Sequence, residues 1–118
     1  MSIHTRSQKL AQAAFARIAK YGKPEKEYVS FAKKFPALIH TCGLAQAVAF
    51  ALAKKQTGYV EDLAAVLKAS GHPEMISAQA LDDQTRTQQL SGYLRLSRDA
   101  INAAGWLKRY VEAAGEEE

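Results

Sequence analysis

The side chains of this sequence that could carry chemistry are mainly cationic. Sixteen Lys and Arg residues stand against twelve Asp and Glu, which gives a formal net charge of +4. The charge is unevenly divided, because residues 1 to 55 hold ten basic and two acidic residues, whereas residues 56 to 118 hold six basic and ten acidic ones. A basic chain attracts polyanions, so we expect an anionic partner.

One basic stripe is expected on a helix near the N-terminus. Its members recur at intervals of three or four residues, the spacing that places side chains on one side of a helix. No acidic residue precedes Glu25, so we expect no carboxylate to neutralise this stripe. We call it the N-terminal stripe, and it consists of Arg6, Lys9, Ala13, Arg17 and Lys20.

A second stripe with the same spacing, the C-terminal stripe, consists of Arg95, Arg98, Asn102, Gly105 and Arg109. On a continuous helix it would extend about 21 Å. The planar arginine fork bonds two phosphate oxygens at once, and a row of such contacts binds nucleic acid without reading its sequence. Gly105 leaves a gap through which a phosphate backbone or another helix could approach. The alternative for either stripe is an ordinary solvated helix face.

Two pairs of carboxylates could in principle hold a catalytic metal. A metal-dependent nuclease needs carboxylates that converge on one point, but neighbouring residues on a helix diverge, as in Glu61 and Asp62. Asp82 and Asp83 are expected to cap a C-terminal helix. We therefore predict that the protein is not an enzyme, with a nuclease that uses Asp82 and Asp83 as the most distant alternative.

The histidines and the single cysteine do not form a recognisable reactive group. His4, His40 and His72 are far apart in the sequence, and His40 and Cys42 would diverge on a helix. We therefore expect no metal, no cofactor and no small-molecule substrate. Because Cys42 is the only cysteine, an intramolecular disulfide is impossible, and a reducing, cytoplasmic location is expected.

The elements that must position these residues are predicted to be helices. Alanine is abundant, and β-branched residues never alternate with polar ones over the length of a strand. We predict an all-α fold, a compact single-domain bundle of five or six helices spanning residues 1 to 118, with a loop around residues 71 to 84 and a frayed acidic end at 115 to 118. The helices are expected from 5 to 21, from Pro24 to Pro36, from there to Lys55, from 59 to 70, and from 83 to 114 with a possible break near Ser97.

The most apolar stretch, FPALIHTCGLAQAVAFALAKK at residues 35 to 55, has three interpretations. From Phe35 to Ala53 a helix would measure about 28 Å, close to a bilayer core. His40, Thr41 and Gln46 interrupt the stretch, however, and lysine pairs flank both ends, so a buried helix is favoured over a membrane span. The basic N-terminus also has the character of a transit peptide, but it fits better as the first helix, and no secretory signal opens the chain.

The third interpretation is a family signature. The stretch PALIHTCGLAQAVAF from Pro36 to Phe50 resembles a pattern in the small helical subunit of the type III-B (Cmr) CRISPR effector complex. The stretch YLRLSRDAINAAGWLKRYVEA from Tyr93 to Ala113 resembles the C-terminal helix of the same family, with its Trp-Leu-Lys-Arg followed by an aromatic residue. The two matches occur in the right order and cover about a third of the chain. Pro36 to Phe50 would then belong to a buried central helix.

The resemblance implies a non-catalytic subunit in antiviral defence. Such subunits stack in several copies and line the path of target RNA, and the expected partners are other subunits of the complex, copies of the same chain, guide RNA and target RNA. The alternative is a helical protein–protein adaptor that binds no nucleic acid. The residues predicted to supply the positive surface for RNA are Arg17, Lys20, Lys54, Lys55, Arg95, Arg98, Lys108 and Arg109.

Overall fold

Six α-helices and no β-strand make up the secondary structure of residues 5–115, the part of the chain that the computed structural model describes. The predicted all-α bundle of five or six helices is confirmed. His4 and the acidic residues 116–118 lie outside the described residues. In chain order the helices are α1 (Arg6–Ala19), α2 (Lys26–Cys42), α3 (Leu44–Ala53), α4 (Thr57–Ala69), α5 (Ala78–Thr87) and α6 (Leu90–Gly115).

The longest helix, α6, lies at the centre of the packing and contacts α1, α2 and α4. Its buried side chains recur every three or four residues, so one side of the helix faces the core. Three of them are alanines with no side chain beyond Cβ, which lets the neighbouring helices approach closely. The buried positions on this side include Leu96, Ala100, Ala103, Leu107 and Val111.

The first helix has a well-defined start and one buried side. The Thr5 side chain accepts a hydrogen bond from the Gln8 backbone N–H, and the Gln8 side chain accepts one from the Thr5 N–H, which completes a capping box. Leu10, Ala14 and Ile18 are buried, as their spacing predicts. The two basic stripes thus lie on helices that pack against each other, α1 and α6.

The apolar stretch from residue 35 to 55 is not the single central helix that we predicted. Pro36 lies inside α2, which continues to Cys42. The helix is interrupted at Gly43, and α3 begins at the next residue. Gly43 has a φ of +85°, a value that side chains with a Cβ rarely adopt, so the glycine and not the proline ends the helix. No helix within residues 5–115 is long and apolar enough to cross a membrane.

The loop predicted around residues 71 to 84 is also wrong in its extent, because α5 occupies residues from Ala78 onward. Ser77 caps this helix by accepting a hydrogen bond from the Ala80 N–H at 3.1 Å. The irregular segment before it is attached to α6 by a buried pair, in which His72 Nε2 lies 2.7 Å from Asp99 Oδ2.

The break in the C-terminal helical region falls at residues 88 and 89 and not near Ser97. Ser97 lies within α6, and its Oγ is buried without a hydrogen-bond partner among the described residues, so it is not an N-cap. Asp82 and Asp83 do not cap the long helix either. They lie within α5, and both carboxylates contact the Arg86 guanidinium.

Candidate nucleic-acid interface

Acidic residues from two other helices partly neutralise the N-terminal stripe. Packing of α1 against α4 places the Asp62 carboxylate next to the stripe, with Arg17 Nε at 2.8 Å and Lys20 Nζ at 3.9 Å from Oδ1. At its other end, Arg6 Nη1 lies 3.7 Å from Asp99 Oδ1. Our expectation that no carboxylate neutralises this stripe is therefore wrong.

Asp62 is fully buried and accepts hydrogen bonds from three side chains. Besides Arg17, the hydroxyls of Tyr21 and Tyr28 donate to Oδ2 at 2.6 Å and 2.5 Å. A buried carboxylate needs this number of donors, because it has lost its hydration. We call this group the Asp62 cluster, and its members are Asp62, Arg17, Lys20, Tyr21 and Tyr28.

The tyrosines of the Asp62 cluster are held in the neutral form. Partial burial, the hydrogen bond to Asp62 and the charge of that carboxylate together raise the pKa of Tyr21 to about 12. Burial and the same carboxylate also raise the pKa of Tyr28 above its usual value. Their hydroxyl protons therefore stay in place as donors to Asp62 at neutral pH.

The C-terminal stripe has the opposite character. Because α6 is continuous, its members share one side of the helix, and Arg95, Arg98, Asn102 and Arg109 are all exposed. No carboxylate of residues 5–115 lies within 4.0 Å of the three arginines. Lys108, which is also part of α6, is half-buried. The structure thus presents a row of exposed arginines about 21 Å long, as the spacing predicted.

Lys54 and Lys55 lie at the end of α3, where the chain turns sharply. Lys55 has a φ of +62°, in the left-handed region that residues other than glycine seldom occupy. Lys54 Nζ lies 5.5 Å from the centre of the Phe50 ring, and this ring is stacked on Phe31 at 6.2 Å. Lys34 of α2 is placed over Phe31 in the same way.

Four lysines outside the set predicted to bind RNA surround an open depression of about 650 Å³ beside α2. A second depression shares Lys34 with it and is also lined by Phe31, Lys54 and the acidic Glu27, so this surface is continuous with the end of α3. Lys33 and Lys34 follow Lys26 by seven and eight residues, a spacing that places all three on one side of a helix. This spacing is the sequence signal that could have identified three of the four lysines. We call the group the lysine depression, and it consists of Lys23, Lys26, Lys33 and Lys34.

The groups considered for catalysis remain separate in the structure. Among residues 5–115, no three His, Cys, Asp or Glu side chains are grouped so that they could hold a metal ion. Cys42 is a half-buried free thiol whose Sγ lies 3.3 Å from the Leu38 carbonyl oxygen. Asp82 and Asp83 are bound to Arg86, so their carboxylates already have a cationic partner.

Taken together, the fold and this surface define a small all-α protein with exposed cationic rows on α6 and along α2 and α3. The family model described as CRISPR-associated protein (Cas_Cmr5) matches residues 6–114. The chain therefore belongs to the Cmr5 family of CRISPR-associated proteins, which confirms the resemblance seen in the sequence.

Two relatives are similar over almost the whole chain. The protein named CRISPR system Cmr subunit Cmr5, from Thermus thermophilus, is 36% identical over 120 residues, which cover 98% of this chain and 100% of the relative. The X-ray crystal structure of a CRISPR-associated Cmr5 family protein from Thermus thermophilus matches with a TM-score of 0.83 and 35% identity. That match covers 96% of this chain and 100% of the crystallised one.

Proposed function

We propose that this protein is a non-catalytic structural subunit of a type III-B (Cmr) CRISPR interference complex in the cytoplasm. Several copies stack within the complex, and their basic surface lines the path of target RNA in antiviral defence. Membership of the Cmr5 family supports the first part, since the Thermus thermophilus relative is named as a Cmr subunit. The partners are the other subunits, copies of this chain, guide RNA and target RNA.

The observation that carries the RNA-binding part is the row of exposed arginines on α6. Arg95, Arg98 and Arg109 have no carboxylate partner within residues 5–115, so their charge is available to an external anion. A helix face that only needed solvation would be served equally well by mixed charges or neutral polar groups. Three unpaired guanidinium groups on one side suit a phosphate backbone.

The eight residues predicted to bind RNA divide into three groups. Arg95, Arg98, Lys108 and Arg109 belong to α6, and Lys54 and Lys55 extend the lysine depression of α2. Arg17 and Lys20 belong to the Asp62 cluster, where the single negative charge of Asp62 compensates half of their combined charge inside the protein. We therefore assign the larger share of RNA binding to the first two groups and the smallest share to Arg17 and Lys20.

Neutralising the α6 arginines in the assembled complex tests this function. The variant Arg95→Gln, Arg98→Gln and Arg109→Gln should keep its helicity and still enter the complex, while the complex binds target RNA more weakly. The dependence of log K on log salt concentration should also become shallower, by about 0.7 for each lost contact with single-stranded RNA. Affinity is measured at several salt concentrations.

A matched control carries Lys9→Gln, Lys68→Gln and Arg86→Gln, because these exposed side chains lie outside the proposed surface and the net charge changes equally. RNA affinity and salt slope that are the same for both variants would contradict the assignment. If the α6 variant instead failed to enter the complex and RNA binding were unaffected, the adaptor function would be supported. Exposed Leu90 and Leu94 near the start of α6 are suited to such protein contacts.

A further inference from the structure

The C-terminal stripe contains a notch at Gly105, between exposed polar side chains and the half-buried Trp106. This open concavity of about 480 Å³ is lined by Ile101, Asn102, Gly105, Trp106 and Arg109. Resting on the proposed function, we propose that the notch binds one base of single-stranded RNA, stacked on the Trp106 indole, while the neighbouring arginines hold the phosphates. Nothing in the family match assigns a role to these side chains.

Glycine at position 105 is not required by the fold. The residue lies inside α6, where glycine is a poorer helix former than alanine. Apart from its two chain neighbours and the nearby backbone of α6, a Cβ placed there would meet no atom within 4 Å, and the φ of Gly105 is not positive. Neither close packing nor backbone conformation therefore explains the glycine, whose missing side chain leaves the concavity open to solvent.

Trp106 provides a flat apolar surface whose orientation is fixed by its neighbours. Its ring is stacked on Tyr110, with centroids 5.9 Å apart and planes inclined by 21°, and Tyr110 in turn meets the edge of Phe15. Tyr110 does not line the notch, so it supports the indole without covering the surface that borders the open space. Aromatic side chains held in this way are the usual stacking platforms for single-stranded nucleic acid.

The polar groups around the notch match the remaining parts of a nucleotide. The exposed Asn102 amide offers donors and an acceptor for a base edge. The guanidinium carbon of Arg109 lies over the Trp106 ring, 6.0 Å from the indole centroid, so a base that stacks on the indole would move this side chain towards the adjoining backbone phosphate. Arg98 lies one turn before Asn102 on the same side of α6, so the charge continues along the helix.

The fluorescence of Trp106, the only tryptophan in the chain, tests this proposal. The full-length protein is titrated with a ten-nucleotide oligoadenylate and, separately, with inorganic polyphosphate of similar length. Base stacking should quench Trp106 emission with the oligonucleotide, whereas polyphosphate, which has charge but no bases, should leave the emission nearly unchanged. Gly105→Leu should fill the notch and weaken the oligonucleotide-dependent quenching about tenfold.

Gly105→Leu replaces glycine by a better helix former at an open position, so circular dichroism and thermal melting should show an intact fold. Trp106→Phe keeps an aromatic ring and should bind RNA at close to the original affinity, whereas Trp106→Ala should lose about tenfold, with both measured by polarisation of a labelled oligonucleotide. Equal affinities for Trp106→Phe and Trp106→Ala would overturn the proposal.

Absence of quenching by the oligonucleotide, or equal quenching by polyphosphate, would also overturn the proposal. A third contrary result would be that the Gly105→Leu variant fails to enter the assembled complex while RNA has no effect on Trp106 emission. The notch would then be a binding site for a protein subunit. The proposed function has its own readout, because weakened RNA binding by the complex after neutralisation of Arg95, Arg98 and Arg109 does not depend on base stacking.

Discussion

The Asp62 cluster and the C-terminal stripe show that basic residues with similar spacing can have opposite environments, one internal and one exposed to solvent. Each contains cations on one side of a helix, Arg17 and Lys20 at the end of α1 and three arginines on α6, and the two helices pack against each other. In the cluster, Arg17 and Lys20 lie within 4.0 Å of a buried carboxylate. On α6, the arginines face solvent without a carboxylate partner within residues 5–115.

The difference shows that the charge available to a partner depends on what lies opposite each cation. Asp62 has no exposed surface, so its charge must be balanced by donors from the protein itself. Arg17 is therefore part of the internal structure even though it lies on a basic stripe. The α6 arginines satisfy no internal acid, so replacing them should affect an external partner more than the fold.

Asp62→Ala should have the largest effect of the changes that test this comparison. It removes the common acceptor of Arg17, Tyr21 and Tyr28 from a buried site, so we expect the free energy of unfolding to fall by about 3–5 kcal/mol. Urea denaturation followed by circular dichroism measures the change. Asp82→Ala, which removes a carboxylate paired with exposed Arg86, is the control and should cost no more than about 1 kcal/mol. Similar losses in the two variants would mean that the cluster is not a structural centre.

Arg17→Ala and Arg95→Ala compare the same residue type in the two regions. Arg17 donates to a buried carboxylate, so its loss should lower the free energy of unfolding by about 1.5–3 kcal/mol. Arg95 is exposed and unpaired within the described residues, so Arg95→Ala should change stability by no more than about 0.5 kcal/mol. The same denaturation measurement applies to both. If Arg95→Ala were as destabilising as Arg17→Ala, the contrast between the regions would be lost.

Alkaline pH should weaken the Asp62 cluster and leave the C-terminal stripe unaffected. Tyrosine ionises near pH 10 in an unfolded chain, whereas the folded pKa of Tyr21 is about 12. As the pH rises, Tyr21 therefore loses its proton first in the unfolded state. Its contribution to the free energy of unfolding is complete below about pH 10 and is lost as the pH rises towards 12. Melting temperatures measured from pH 8 to 12 should fall less steeply for Tyr21→Phe than for the original protein. Parallel curves would exclude Tyr21 as a source of the pH dependence.

The salt dependence of RNA binding should give the smallest effect and the most direct comparison. In the assembled complex, Arg95→Gln with Arg98→Gln should reduce the slope of log K against log salt by about 1.4, or about 0.7 for each phosphate contact. Arg17→Gln with Lys20→Gln should reduce it by about half as much, because the single charge of Asp62 already compensates one of these two cations. If Arg17→Gln with Lys20→Gln reduced the slope more than Arg95→Gln with Arg98→Gln, the RNA-facing surface would be on α1 and not on α6.

Much of the helical architecture could be predicted from local patterns. The buried spacing of Leu10, Ala14 and Ile18 predicts α1, and the helix expected from 59 to 70 corresponds to α4. The predicted helix boundaries were wrong where a single residue is compatible with either the interior or the end of a helix. Pro36 was given too much weight as a helix breaker, and Ser77, the actual cap of α5, was overlooked in a polar segment.

The candidate site divides in the same way. The spacing of Arg95, Arg98 and Arg109 predicted that these side chains share one side of a continuous helix, and the structure confirms this geometry. The lysine depression was missed because Lys23 precedes α2 and the other lysines follow along it, so only folding shows that they surround one open space. Their role in binding RNA remains a proposal.

By itself, the sequence determined the helical fold, the family and the sides of α1 and α6 on which the cations lie. These properties depend on spacing along one helix or on contiguous motifs, which are local in the chain. The tertiary structure alone decided which cations are neutralised, because Arg17 and Asp62 are separated by 45 residues and meet only when α1 packs against α4. It also decided that the Gly105 notch opens to solvent beside Trp106, since packing determines which part of a helix stays uncovered.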